Sequence, residues 1–119
     1  MSNFSFSNLA LPEAQLQNLD SLGYVQMTAI QAAALPLALS GNDLIGQAKT
    51  GSGKTAAFAL PLLARLNPQH FSVQSLILCP TRELASQVAD EIRRLARYQN
   101  NIKVVTLCGG QSIGPQIGS

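Results

Sequence analysis

The sequence predicts an α/β fold in which helices cover a parallel β-sheet, and three observations point to it. From residue 43 onward, short apolar segments alternate with amphipathic ones in the order strand–helix–strand–helix–strand. The predicted strands are apolar on both faces, which is typical of parallel strands between layers of helices. Hydrophobic residues make up 46% of the 119 residues and charged residues 12%, so much of the chain is suited to burial and intrinsic disorder is excluded.

Two helices are expected before the first strand. The first runs from about Pro12 to Leu22, has leucines at three-residue spacing, and ends at Gly23. The second runs from Thr28, a good N-cap residue, to about Ser40, with Gly41 behind it. Pro36 inside this helix predicts a kink.

The remaining elements form two strand–helix–strand units with right-handed connections. The expected strands span residues 43–48, 75–79 and 103–108, and the helices run from Thr55 to about Leu66 and from Arg82 to about Tyr98. Three parallel strands leave an exposed edge and an uncovered face. We therefore interpret the chain as the first part of a larger α/β domain.

Composition excludes several classes of protein. No apolar run approaches the roughly 20 residues that span a bilayer, and the N-terminus lacks the features of a secretory signal. Cys79 and Cys108 give neither a disulfide framework nor a metal-binding spacing, which favours reduced core residues. A net charge of +2 does not by itself indicate nucleic-acid binding. We expect a cytoplasmic protein that does not associate with membranes.

A glycine-rich turn, AKTGSGKT at residues 48–55, lies between the first predicted strand and the next helix. It fits the general P-loop pattern except at its first position, where Ala replaces Gly. Gly51 and Gly53 allow backbone amides to turn toward a polyphosphate, and the helix N-terminus adds positive potential. Lys54 is expected to reach the β- and γ-phosphates, and the Thr55 hydroxyl to ligate Mg²⁺. The turn predicts a nucleoside triphosphate site, and leaves open a kinase, a transporter ATPase, a GTPase or a helicase.

A segment upstream of this turn, Gly23–Gln31, contains two residues suited to a nucleobase. The Gln31 amide both donates and accepts, so it can pair with N6 and N7 of adenine, and Tyr24 offers a flat face. Spacing alone leaves the plainer alternative open, in which Gln31 is a helix-surface amide and Tyr24 a packed aromatic residue.

Four motifs in this order resemble those of the DEAD-box ATP-dependent RNA helicases. Gly23–Gln31 looks like the Q motif, with Phe6 at the position of its upstream aromatic residue. Residues 48–55 match the family's P-loop. PTRELA at residues 80–85 matches motif Ia, and Gly109-Gly110 matches the GG motif. The resemblance extends to about Gln111 and is greatest to one bacterial type. The sequence departs from the family at Met27 and Ala29, where most members have Pro.

The resemblance implies an incomplete RecA-like P-loop NTPase domain with ATP and Mg²⁺ as cofactors. The nucleotide-contacting residues it implies are Phe6, Tyr24, Thr28, Gln31, Thr50, Gly51, Ser52, Gly53, Lys54 and Thr55, with Lys54 and Thr55 catalytic and Thr55 the metal ligand. The residues implied to hold RNA phosphates are Pro80, Thr81, Arg82, Gly109 and Gly110. A buried strand ends and a helix begins at Thr81-Arg82, which is where open α/β sheets bind ligands. Arginine near free helix amides also suits phosphate.

The function implied is remodelling of structured RNA driven by ATP, with ribosome assembly and ribosomal RNA as one candidate setting and no obligate protein partner evident. By this interpretation residues 1–40 hold the N-terminal helices and the Q motif. Residues 41–119 begin the ATP-binding domain and stop before the family's acidic DEAD motif. Asp90 and Glu91 do not replace that motif, since their periodicity places them on a helix. The chain alone is therefore expected to be inactive. The alternatives are a non-catalytic nucleotide-binding module from a truncated gene product, and another P-loop class.

Overall fold

The computed structural model describes residues 4–49, 51, 53–109, 114 and 116. Its helices are a 3₁₀ turn at Phe6–Asn8, α1 at Glu13–Ser21, α2 at Ala29–Leu39, α3 at Lys54–Arg65, α4 at Arg82–Leu95, and a 3₁₀ turn at Ala96–Tyr98. All four α-helices expected from the sequence are present, with ends within three residues of the predicted ones. None of the helices in these ranges is long and apolar enough to cross a bilayer.

The helix boundaries follow local signals in the sequence. Thr28 is the N-cap of α2, as predicted, and Thr81 is the N-cap of α4. Behind α1 and α2, Gly23 and Gly41 adopt φ angles of 89° and 94°, a left-handed conformation that favours glycine. Pro36 lies inside α2; the kink stays a prediction.

The segments predicted to be strands, unlike the predicted helices, are not assigned as such in the structure. Residues 43–48, 75–79 and 103–108, here called the apolar segments, have no strand assignment, and no backbone–backbone hydrogen bond in the described part of the chain joins one to another. Ile45, Leu78 and Leu107 on these segments are 96%, 86% and 69% exposed. A strand needs the amides and carbonyls of an adjacent strand, and among the described residues these segments do not supply them to one another. Hydrogen-bonded pairing between the apolar segments is therefore not assigned within the described part of the chain.

The hydrophobic core is built mainly by the helices. Helix α2 packs on α3, α3 packs on α4, and α1 packs on α4 and the turn that follows it. The leucines with at most 1% exposure are Leu19, Leu35, Leu60, Leu63 and Leu95. They lie on both sides of the boundary expected at residue 40, so the two predicted parts share one core; the boundary itself stays a prediction.

Helix α1 also caps the end of α4 through side-chain amides. Gln15, 1% exposed, donates from Nε2 to the Leu95 carbonyl at 3.0 Å. Asn18 donates from Nδ2 to the Arg94 carbonyl at 3.0 Å and to the Leu95 carbonyl at 3.2 Å. These bonds satisfy carbonyls that a helix C-terminus leaves without intrahelical partners. The N-terminal helix is thereby fixed to the far end of α4.

Candidate functional site

Thr28 and Gln31 form a reciprocal capping box at the start of α2. The Gln31 amide N–H donates to Thr28 Oγ1 at 3.5 Å, and the Thr28 amide N–H donates to Gln31 Oε1 at 2.9 Å. A capping box satisfies two backbone donors that the first turn of a helix leaves free. The box also fixes the direction in which the Gln31 side chain leaves the helix.

The other end of the Gln31 amide contacts the glycine-rich turn. Gln31 Nε2 donates to the Gly53 carbonyl at 3.2 Å, across 22 positions of sequence. Gly53 adopts φ 91°, and a Cβ placed on it would lie 2.4 Å from Gln31 Nε2 and 2.9 Å from Thr28 Oγ1. Glycine is required here both by the backbone conformation and by the close approach of two side chains. Since Gln31 is 2% exposed, it is not the surface amide that spacing alone allowed.

The two aromatic residues singled out from the sequence lie against each other. The rings of Phe6 and Tyr24 meet edge to face, with centroids 5.7 Å apart and planes at 84°. Phe6 is 2% exposed, while Tyr24 is half-buried. The Phe6 amide donates to the Val25 carbonyl at 3.3 Å, which ties the N-terminal segment to the Q-motif segment. Of the two rings, Tyr24 is the more accessible to a ligand; base stacking by either residue stays a prediction.

Met27, one of the two departures from the family pattern, is 6% exposed and belongs to the hydrophobic core cluster. Its side chain therefore links the Q-motif segment to the core. The other departure, Ala29, is exposed as the first residue of α2.

The glycine-rich turn has the geometry of a phosphate cradle where it is described. Gly51 and Gly53 both have left-handed φ angles, 83° and 91°, and a Cβ on Gly51 would meet no atom within 4 Å. Lys54 is the first residue of α3 and is exposed, and Thr55 is half-buried beside it. Open space, an exposed lysine and the free amides of a helix start fit a phosphate group. The predicted site residues Thr50 and Ser52 lie outside the described residues.

Motif Ia and the GG motif meet at the start of α4. Thr81 caps the helix, its Oγ1 accepting from the Leu84 amide at 3.1 Å. Arg82 donates from Nη1 to the Gly109 carbonyl at 3.4 Å, across 27 positions of sequence. Pro80, Thr81, Arg82 and Gly109 are all exposed. The structure thus brings together the predicted RNA-contacting residues that it describes; Gly110 lies outside the described residues.

The acidic residues do not gather at the glycine-rich turn. Asp90 and Glu91 lie in α4, as predicted, and pair with Arg93 and Arg94. Across the described ranges, no three His, Cys, Asp or Glu side chains come together as a metal-binding group. The predicted Mg²⁺ ligand, the Thr55 hydroxyl, lies in the first turn of α3, directly after the glycine-rich turn.

Comparisons with known proteins agree with this geometry. Residues 28–119 match the DEAD/DEAH box helicase family. The chain is 60% identical over 116 residues to the ATP-dependent RNA helicase DbpA of Escherichia coli strain K12, covering 98% of this chain and 25% of that protein. A DEAD box protein from the hyperthermophile Methanococcus jannaschii superposes with a TM-score of 0.89 at 42% identity, covering 97% of this chain and 31% of the other.

A structure of Saccharomyces cerevisiae Dbp5 bound to RNA and ADP BeF3 also matches. The TM-score is 0.75 at 36% identity, over 80% of this chain and 25% of that one. The chain thus spans about a quarter to a third of the length of these three relatives. The predicted fold class is confirmed: over this span the chain has the RecA-like α/β fold of its structural neighbours. The chain belongs to the DEAD/DEAH box helicase family.

Proposed function

We propose that this chain is the nucleotide-binding part of an ATP-dependent RNA helicase that acts on structured RNA in the cytoplasm. The observation that supports it most is the buried Gln31 amide, which joins the start of α2 to the Gly53 carbonyl of the glycine-rich turn. A residue suited to adenine is thereby held next to a turn suited to phosphates. Because a primary amide both donates and accepts, it can pair with N7 and N6 of adenine, so the contact favours an adenine nucleotide.

The hydrogen-bonding capacity of Gln31 supports base recognition. A primary amide has two N–H donors and two acceptor lone pairs. Gln31 uses one donor toward Gly53 and one lone pair toward the Thr28 amide. The donor and the lone pair that remain are what pairing with adenine N7 and N6 requires. Because Gln31 is 2% exposed, adenine reaches it only when the side chains that cover it are displaced.

The phosphates would lie against the turn and the start of α3. Gly51 leaves open space, the exposed Lys54 supplies a positive charge, and the Thr55 hydroxyl is the proposed Mg²⁺ ligand. The metal would neutralise phosphate charge when bound. The contribution of this chain is to bind and orient the triphosphate.

RNA phosphates would bind at the start of α4. The Thr81 hydroxyl accepts from the Leu84 amide, so its own proton remains available for a phosphate oxygen. The guanidinium of Arg82 keeps further N–H groups beyond the one directed at Gly109. Contacts of this kind position a nucleic acid without reading its sequence. Ribosomal RNA during ribosome assembly is a candidate substrate, and selectivity for it would come from elsewhere in the protein.

A second candidate function is that of a nucleotide-binding module that does not hydrolyse its nucleotide. It is favoured by the finding that, among the described residues, no three His, Cys, Asp or Glu side chains come together as a metal-binding group. Phosphoryl transfer to water requires the metal and the attacking water to be held together. The two candidates differ in whether the 119 residues alone release phosphate.

The test is nucleotide selectivity of the full-length protein, measured by competition of unlabelled ATP and GTP against a fluorescent adenine nucleotide. We expect ATP to bind about 5- to 150-fold more tightly than GTP, which corresponds to roughly 1–3 kcal/mol for a bidentate base contact. Gln31→Ala should remove most of that preference. Gln17→Ala, which truncates an exposed glutamine of α1, is the matched control and should keep it. Equal affinity for ATP and GTP in the unmodified protein would refute the proposal.

A further inference from the structure

We propose that a basic groove on α4 is a second contact for the phosphate backbone of RNA, separate from the contacts at Thr81 and Arg82. The groove, here called the α4 groove, has a volume of about 540 Å³ and is lined by Gln87, Asp90, Arg93, Arg94 and Arg97. The inference rests on the proposed function in one respect only, namely that the nucleic acid bound by the protein is RNA.

Positive charge is concentrated in the α4 groove. Its lining holds three of the eight Lys and Arg residues of the chain and one of the six Asp and Glu residues. Sequence periodicity explains part of this, because positions 87, 90, 94 and 97 repeat every three to four residues and share a helix face. The three arginines also lie close together in the sequence, near the C-terminus of α4, where positive charge interacts favourably with the helix dipole.

The three arginines are held to different degrees. Arg93 donates to Asp90 at 3.1 Å and to the Val104 carbonyl at 3.1 Å, which fixes its guanidinium at the groove wall. Arg94 pairs with Glu91, and its side chain remains 54% exposed. Arg97 is exposed and has no hydrogen bond or ion pair with any residue that the structure describes. An incoming phosphate could therefore bind the guanidinium of Arg97, and also that of Arg94, which is exposed and has one ion pair.

The groove chemistry favours a nucleic-acid backbone over a protein partner. Protein interfaces depend on aromatic or aliphatic anchors that enter a desolvated pocket, and the lining of this groove includes no apolar residue. Phosphate recognition requires only charged forks such as guanidinium groups, and these are what the groove offers.

Distance makes the α4 groove a separate contact. Arg97 lies fifteen positions after Arg82, which at 1.5 Å per helical residue is about 22 Å. An RNA duplex is A-form, and this distance corresponds to several base pairs along its axis. A short single strand bound at Thr81 and Arg82 would have to extend its whole length along α4 to reach the groove. A structured RNA with a helix beside that strand would reach it.

The experiment measures RNA affinity of the full-length protein by fluorescence anisotropy over a range of salt concentrations. One probe is a single strand of about 6 nucleotides, and the other carries the same strand next to a duplex of about 12 base pairs. The double variant Arg94→Ala/Arg97→Ala is compared with Arg94→Lys/Arg97→Lys, which keeps the charges. Arg65→Ala, which removes an exposed arginine at the end of α3, is the matched control.

We expect the alanine double variant to bind the longer probe about three- to tenfold more weakly, because two phosphate contacts are lost. Its slope of log affinity against log salt should become shallower by about 1.5, while the lysine variant should keep most of the affinity and slope. The short probe and the preference for ATP over GTP should not change.

Three results would overturn the proposal: unchanged affinity and slope for the longer probe, an equal loss in Arg65→Ala, or an equal loss with the short probe. If one of these results is found and the protein still prefers ATP over GTP, only the proposal about the α4 groove is rejected. A protein without ATP preference rejects the proposed function instead.

Discussion

Substitution of Gly53 by alanine tests the contact between α2 and the glycine-rich turn most directly. A Cβ at this position would lie 2.4 Å from Gln31 Nε2, 2.9 Å from Thr28 Oγ1 and 3.0 Å from Gln31 Cδ. Contacts under 3.0 Å are not tolerated, so both side chains must move away from Gly53. Gly51→Ala is a matched control, because Gly51 has a similar φ of 83° but open space around its Cβ.

The magnitude follows from what each substitution disturbs. Both place alanine in the left-handed region, which costs about 1–2 kcal/mol. Gly53→Ala alone also displaces the buried Gln31 amide from its acceptor and disturbs the Thr28 cap. Loss of a buried hydrogen bond costs about 1–3 kcal/mol, and loss of an N-cap about 1 kcal/mol. We therefore expect Gly53→Ala to lower the free energy of unfolding by about 2–4 kcal/mol more than Gly51→Ala does.

The assay is urea unfolding followed by far-UV circular dichroism, at a protein concentration low enough to avoid association. Since the chain has two tyrosines and no tryptophan, intrinsic tyrosine fluorescence gives a second signal. Equal destabilisation by Gly53→Ala and Gly51→Ala would show that the Gln31 and Thr28 side chains do not constrain Gly53. The reasoning about this contact would then be refuted.

Three further predictions concern single residues, and a fourth concerns the activity of the whole chain. Thr81→Ala should destabilise α4 by about 1 kcal/mol in chemical unfolding while Thr81→Ser does not, because serine keeps the capping oxygen. Gln15→Ala should cost about 1 kcal/mol by the same measurement, because the Leu95 carbonyl loses the Gln15 donor and keeps only the one from Asn18; no change would mean that the Gln15 amide does not hold α1 to α4. The 119-residue chain should release no phosphate from ATP in the presence of RNA, and turnover that disappears in Lys54→Ala would contradict our account of the metal site. Burial raises the pKa of Tyr98 above its ordinary value of 10.0, so the neutral phenol is favoured in the folded chain and stability should fall as pH rises above that value; Tyr98→Phe should lack this component of the pH profile.

Local signals explain why the helices could be predicted from the sequence. Thr28 accepts from the α2 backbone within its own first turn, and Gly41 takes its left-handed φ directly behind the same helix. Such signals depend on neighbours a few residues away, so a single sequence contains them. The roles proposed for Lys54, Thr55 and motif Ia depend on short sequence motifs, because charge and composition do not indicate them.

The rest depended on contacts between distant parts of the chain. The burial of Gln31 results from a partner 22 positions away, and spacing could not distinguish it from a surface amide. For the predicted strands, the sequence indicated burial but not the pairing partner of each strand. Their apolar sequence indicates burial in a sheet, but hydrogen-bonded pairing depends on which segments become neighbours, and that information is not local.

The bond between Gln15 and Leu95 also bears on the order in which the chain folds during synthesis. These two residues are 80 positions apart, so α1 lacks its partner until α4 has left the ribosome. At about 5–20 residues per second, the wait is several seconds, which is long compared with helix formation. During that interval α1, which is nine residues long, is too short to remain helical on its own. We therefore expect α1 to become stable only after α4 has been synthesised, and an arrest of translation before residue 95 would leave the core without its α1 layer.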